Sequence, residues 1–162
     1  MKYSIWLEPT AKDGLYLSKT IKYLSRKYDA PIFSPHITLY SGIRRYAQAR
    51  AAVNACADFQ KMRIVVRRMR HSDYLWKTLY LETKKDKDLQ RINHMLKKNL
   101  TNKYKFEPHI SLIYKALDTK TKRQIAKDLN LKRSYKFDKI TIIRSPTRIS
   151  NWKKLKTIRL KD

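Results

Sequence analysis

Pro35-His36-Ile37-Thr38-Leu39 and Pro108-His109-Ile110-Ser111-Leu112 are one five-residue phrase written twice, 73 positions apart. The chain has four histidines, at 36, 71, 94 and 109, and two of them share this setting. With ordinary residue frequencies, a second histidine would acquire it by chance on the order of once in ten thousand. A leading segment repeats as well: Ile5-Trp6-Leu7-Glu8 is similar to Leu79-Tyr80-Leu81-Glu82 at an offset of 74. Two agreeing offsets point to an internal duplication. Duplicated halves commonly pack about a pseudo-two-fold axis, with equivalent strands facing each other across a central groove.

The pattern around the two phrases predicts the elements. Residues 3–8 read as a strand. Leu17, Ile21, Leu24 and Tyr28 mark one face of a helix entered after Asp13-Gly14. Residues 33–40 form the first histidine strand, left at Ser41-Gly42. Ala47, Ala51, Ala55 and Phe59 recur at helical spacing over 45–58. Residues 61–70 and 74–82 are rich in Val, Ile, Tyr and Leu and read as strands. Asp86 starts a helix whose face is Leu89, Ile92, Leu96 and Leu100. The second histidine strand is 105–114. A helix over 120–130 turns Ile125, Ala126 and Leu129 inward, and 136–144 with 152–161 make a hairpin around Ser145-Pro146. The expected fold is α+β: a single domain over 1–162, bilobal and duplicated, with two antiparallel β-sheets facing a central cleft and helices packed outside.

Composition narrows the class. At 162 residues and 42% hydrophobic content the chain can bury a core. No apolar run is long enough to span a bilayer, and the acid and proline at Glu8-Pro9 come too early for a secretory signal. A single cysteine, Cys56, rules out an internal disulfide framework. These features lead to the expectation of an intracellular, cytoplasmic monomer away from membranes. The net charge is +26, and it is uneven: residues 1–60 hold nine Lys and Arg against four Asp and Glu. Such a field favours polyanionic partners, nucleic acid among them.

Side chains alternate along a strand, so His36, Thr38 and Tyr40 are expected on one face and Ile37 and Leu39 on the other. The same rule groups His109 with Ser111. Each phrase offers an imidazole and a hydroxyl, anchored by two aliphatic residues. Two such couples suit phosphodiester chemistry without a metal. A neutral imidazole takes a proton from the attacking oxygen and a protonated one gives a proton to the leaving oxygen. The hydroxyls donate to phosphate oxygens as charge develops. His36 and His109 are the candidate catalytic residues, with Thr38 and Ser111 as candidate phosphate binders.

The two phrases resemble the paired H-x-[ST] signature of the two-histidine (2H) phosphoesterase superfamily. Tyr3-Ser4-Ile5-Trp6-Leu7-Glu8-Pro9, Phe33 to Leu39, and Glu107 to Tyr114 are similar to the plant and yeast cyclic nucleotide phosphodiesterase branch. The resemblance covers residues 3 to about 160. It implies a bilobal fold with one motif from each lobe, His36 and His109 as the acid/base pair, and opening of a ribose cyclic phosphate. Substrates of that kind are nucleoside 2′,3′-cyclic phosphates and ADP-ribose 1″,2″-cyclic phosphate. Tyr114 matches an aromatic residue after the second motif, but strict alternation puts it on the wrong face, so a bulge or twist is required. The high charge departs from that branch and favours, as the alternative, an RNA end, a 2′–5′ linked oligonucleotide or a cyclic dinucleotide, with ligase-like activity or non-catalytic RNA binding as further readings.

The remaining residues carry less. No H-E-x-x-H, C-x-x-C or carboxylate cluster calls for a metal, and no Gly-rich phosphate loop or cofactor motif is present. Trp6, Trp76 and Trp152 read as core residues. Trp76, sharing a strand face with Tyr74 and Tyr80, could instead stack a base. His71 reads as an exposed turn residue, His94 as solvent-facing, and Cys56 as a small buried residue in an alanine-rich helix. Arg67, Arg68 and Arg70 are phosphate contacts or a solvated edge.

Overall fold

The computed structural model of the chain describes residues 2–84 and 86–162. The elements run β1 (Tyr3–Pro9), α1 (Ala11–Lys27), β2 (Ile37–Ile43), α2 (Tyr46–Asn54), β3 (Met62–His71), β4 (Leu79–Thr83), α3 (Lys87–Lys98), β5 (His109–Ile113), α4 (Thr119–Asp128), β6 (Ser134–Arg144) and β7 (Lys153–Arg159). Single 3₁₀ turns at Leu75–Lys77 and Ile149–Asn151 precede β4 and β7. Moving β1-α1-β2-α2-β3 forward by 73 or 74 positions lands on β4-α3-β5-α4-β6. The repeat therefore spans five elements per half, and β7 is an addition.

The fold is α+β, and the sheets of the two halves are continuous. Strand order is β1-β2-β5-β4-β3-β6-β7, and β1 also pairs with β6, so six strands close into a ring with β7 outside on β6. Four pairings join the halves: β1–β6 and β3–β4 are each other's equivalents, while β2–β5 and β3–β6 each match a residue with its own counterpart at offset 73, Ile37 with Ile110 and Arg63 with Lys136. The pseudo-two-fold axis passes through the latter two. The core fills the ring's helix-covered side, with Ile5, Leu7, Ile37, Leu39, Ile110, Leu112 and Phe137 fully buried. Helix α1 packs on β1 and β5, and α3 packs on β2, so the first helix of each half covers the other half's histidine strand.

Both histidine strands carry the same irregularity. In β1–β2 the partners go from Trp6↔Thr38 to Ile5↔Tyr40, and in β4–β5 from Tyr80↔Ser111 to Leu79↔Ile113. Leu39 and Leu112 are the extra residues of two equivalent β-bulges. A bulge shifts the alternation by one place. Tyr40 therefore does not share a face with Thr38. It is buried with Leu39, its hydroxyl donating to the Asn102 carbonyl. Asn93 of α3 donates its side-chain amide to the Leu39 carbonyl at 2.8 Å, satisfying a backbone group at the bulge. Beyond the bulges, the cleft face receives Ser41 and its counterpart Tyr114.

Other expectations are corrected by tertiary contacts. Helix α1 starts at Ala11, ahead of Asp13-Gly14, because Thr10 caps it, its hydroxyl accepting from the Asp13 N–H, which leaves the Asp13 carboxylate to reach across to Lys132 (2.9 Å) and the Lys136 backbone N–H (2.7 Å). In α2 the buried face is Ala49, Ala52 and Val53, followed by Cys56 just past the helix, while Ala47, Ala51 and Ala55 are exposed. Alanine stripes on two faces compete, and the stripe carrying Val53 buries more apolar area. The histidine strands start only at Ile37 and His109, since the segments before them make no ladder pairing. His71 ends β3, half-buried opposite Leu79. Residues 74–78 are a loop held by Ser72 Oγ on the Lys77 carbonyl (2.7 Å) and Thr78 Oγ1 on the Leu75 carbonyl (3.0 Å), so Trp76 does not share a strand face with Tyr80. Lys122 of α4 is buried beneath this loop, its ammonium on the Ser72 carbonyl (3.0 Å) and the Asp73 carboxylate (2.5 Å).

The closing pair sets a stability ranking. Ile37→Ala and Ile110→Ala should each cost about 2–4 kcal/mol, because both side chains are fully buried at the axis. Ile158→Ala, at a half-buried position on the mostly exposed β7, should cost well under that. Urea unfolding of the three variants gives the comparison, and an equal cost for all three would contradict the ring as the stabilising unit.

Candidate active site

Where the histidine strands meet, a cleft of about 570 Å3 opens along the face opposite the core, lined by both motif histidines. Thr38, Ser41, Tyr114, Tyr104 and all three tryptophans also line it, with Lys2, Lys77 and Lys105 among its cationic groups. His36 is buried, lying flat on Trp6 with ring centroids 3.5 Å apart and planes 6° from parallel. His109 is half-buried, with Tyr80 edge-on at 5.3 Å. Trp6 and Tyr80 are counterparts at offset 74, so each imidazole has an aromatic neighbour from the adjacent strand of its own half.

The two rings are oriented identically. His36 Nδ1 lies 2.7 Å from the Ser34 carbonyl, and His109 Nδ1 lies 2.7 Å from the Glu107 carbonyl, both two residues upstream. A carbonyl only accepts, so Nδ1 carries the proton and Nε2 is left with its lone pair in each neutral ring. The environments then differ. Burial holds the His36 pKa down, to about 3; the Ser34 carbonyl works against this, and the charges of His109 and Lys154 add to it. Burial, joined by the charge of Lys77, also lowers the His109 pKa, but here the Glu107 and Trp76 carbonyls and the Glu107 carboxylate oppose it. Glu107 is itself held at about 2 by Lys105 and Lys77.

A family model described as "Cyclic phosphodiesterase-like protein" matches residues 1–160. The chain belongs to this family. It is thereby a 2H phosphoesterase, a class that hydrolyses phosphodiester and cyclic-phosphate bonds. Among solved structures it is similar to Escherichia coli LigT in its apo form (16% identity, 99% of this chain and 98% of that one covered, TM-score 0.65). It is also similar to LigT complexed with 3′-AMP (13%, 99% and 98%, TM-score 0.66) and to TT0787 of Thermus thermophilus (13%, 99% and 98%, TM-score 0.67). A search of curated proteins finds no match.

In this 2H phosphoesterase the four motif residues are not placed alike. Thr38 is half-buried on the cleft wall, and its hydroxyl has no partner among the described residues. Ser111 is buried behind the wall, its hydroxyl donating to the Trp76 carbonyl at 3.0 Å. Tyr114 is brought in by the bulge, packed on Phe33 at 4.0 Å, and burial pushes its pKa up. Tyr40 is absent from the lining. Trp76 reaches the cleft from its loop and stacks on Trp152 at 5.9 Å and 26°. Trp6 and Trp152, read as core residues, are both wall residues here. Ser4, Ser41 and Ser145 also line the cleft without having been singled out. The cue for Trp6 was in the sequence, since it leads the segment that repeats before the second histidine. Arg68 and Arg70 both pair with Glu82, at 2.9 and 3.1 Å. His94 is exposed, and burial pushes the Cys56 thiol to about 12. No three His, Cys, Asp or Glu side chains stand together as a metal cage among the described residues, and none of their helices is long and apolar enough to cross a membrane.

The buried imidazoles make stability depend on pH. Their folded pKa values lie below the unfolded value near 6.5, so the unfolded chain binds more protons between the two. Stability is then full above about pH 6.5 and falls as pH drops toward 3, by at most about 1.4 kcal/mol per pH unit for each group. Denaturant midpoints between pH 7 and 4 should show this slope, and His36→Phe should flatten it. An unchanged slope in that variant would show that His36 is not the group responsible.

Proposed function

We propose that the protein opens a terminal ribose cyclic phosphate on an RNA or oligonucleotide end, by acid–base catalysis between His36 and His109 without a metal. The observation that carries this reading is the matched pair of Nδ1–carbonyl bonds, which present two imidazoles of like tautomer to one cleft. Buried and neutral, His36 is suited to take the proton of the attacking water through Nε2. His109, with two carbonyls and a carboxylate favouring its cation, is suited to protonate the departing ribose oxygen. The water's oxygen bonds to phosphorus, the bond from phosphorus to one ribose oxygen breaks, and the two rings exchange protonation states.

Thr38 is free to donate to a phosphate oxygen at once. Ser111 fills the same role only after giving up the Trp76 carbonyl, so Thr38 is assigned the larger share. The aromatic walls suit stacking of bases, and Tyr74, exposed at the cleft, extends that wall outward. A charge of +26 exceeds what a mononucleotide requires and supports a polyanionic substrate. The second reading is a small cyclic nucleotide or ADP-ribose cyclic phosphate, as in the plant and yeast branch. It is favoured by the family description.

A substrate panel separates these readings: 2′,3′-cyclic mononucleotides, ADP-ribose cyclic phosphate, cyclic-phosphate-ended RNA, 2′–5′ oligoadenylate and cyclic dinucleotides, each with and without EDTA. RNA ends should give the highest kcat/KM, unchanged by chelator. His36→Ala and His109→Ala should each lower kcat by about 10²–10⁴-fold, with the fold intact by circular dichroism. Full activity in both variants would remove the mechanism, and loss of activity in EDTA would remove its independence of metal.

A further inference from the structure

At the end of the cleft formed by the first half, three hydroxyls from three strands or their ends meet away from both histidines. Ser4 Oγ lies 3.0 Å from Ser41 Oγ and 2.9 Å from Ser145 Oγ. All three line the cleft, together with Lys2 and Gly42. Lys2 is exposed and makes no ion pair among the described residues. Ser4 stands two residues from Trp6 on β1, a rise of about 7 Å, and Trp6 carries His36 on its face. The trio is thus about one nucleotide step from the reacting centre.

The chain of hydroxyls is reversible. With Ser145 donating to the Lys2 carbonyl, at a long 3.5 Å, Ser4 donates to Ser145 and Ser41 donates to Ser4. Reversed, Ser145 donates to Ser4, Ser4 to Ser41, and the Ser41 proton is free to point into the cleft. An anion beside Lys2 selects the reversed order, gaining one hydroxyl donor backed by two others at the expense of one weak bond.

The second half shows what happens where this place is not needed. The counterparts of Ser145 and Ser4 are Ser72 and Thr78, and they spend their hydroxyls on the Lys77 and Leu75 carbonyls. The counterpart of Ser41 is Tyr114. In that half the Trp76 loop, pinned by Lys122, folds into the space. In the first half the matching loop also lines the cleft through Pro146, Thr147 and Trp152, but its Ser145 hydroxyl stays with Ser4 and Ser41, beside the exposed Lys2. Gly42, beside Ser41, has φ +78°, and a Cβ there would come within 3.3 Å of Asn102 Nδ2, so the strand end is held in a backbone shape that favours glycine.

We propose that Lys2, Ser4, Ser41 and Ser145 form a second phosphate subsite, which takes the 5′-phosphate of the nucleotide whose cyclic phosphate lies between the histidines. This rests on the phosphodiesterase reading above and sharpens it: the preferred substrate carries two phosphates flanking one nucleoside.

The test compares adenosine 2′,3′-cyclic phosphate with the dinucleotide ApA ending in a 2′,3′-cyclic phosphate, in the full chain and in Lys2→Gln and Ser41→Ala. The wild-type chain should favour the dinucleotide in kcat/KM by tenfold or more, and each variant should cut that ratio by about tenfold. An undiminished ratio in both variants overturns the subsite and leaves the cyclic phosphodiesterase reading standing. Absence of turnover of either compound by the wild-type chain counts against the parent reading instead. A binding titration judges the subsite independently of turnover. Lys2→Gln should weaken adenosine 3′,5′-bisphosphate at least fivefold more than adenosine 3′-monophosphate, and equal weakening overturns it. Lys2 is exposed, so this variant does not endanger folding.

Discussion

One backbone pairing, Ile37 against Ile110, sets the two histidine strands side by side. His36 and His109 each sit immediately beside a member of this pair. Nothing else of the site would come together if the halves met in another register, because a slip of one residue would turn one of the two imidazoles toward the core. The bulges depend on the same pairing. They occur at equivalent places in β2 and β5, and they let consecutive residues face the core, Leu39 with Tyr40 and Leu112 with Ile113. The next residue of each strand then returns to the cleft.

From this symmetric frame the protein builds an asymmetric site. The imidazoles share tautomer and orientation, yet one lies under an indole face and the other near a carboxylate. The hydroxyls share strand positions, yet Thr38 is free while Ser111 is engaged by the Trp76 carbonyl. The difference traces to the loop of residues 72–78, which enters the cleft in the second half and is fastened from outside by Lys122. Acid–base catalysis at a phosphodiester needs two groups in opposite protonation states, and a perfectly symmetric pair would not provide that bias.

Much of this was legible in the sequence because duplication prints itself twice. The paired phrases, the leading Trp6 and Tyr80 segments and the apolar face of α3 each have a periodic signature. Strict alternation failed at Tyr40 because a bulge leaves no fixed residue pattern; the requirement at Tyr114 was visible only as a conflict between resemblance and face. Ser41 was missed for the same reason. Lys122 was missed because an inward-facing lysine resembles a solvated one until its partners, the Ser72 carbonyl and the Asp73 carboxylate, are known. Ser4 and Ser145 lie 141 positions apart, and no local pattern links them.

Every indole in the chain, Trp6, Trp76 and Trp152, is a wall of the same cleft. The protein's entire tryptophan emission therefore originates within a few side chains of the reacting phosphate, and part of it from a ring lying flat on an imidazole. Occupancy of the cleft, and the ionisation of His36, can be followed by the unlabelled molecule's own fluorescence.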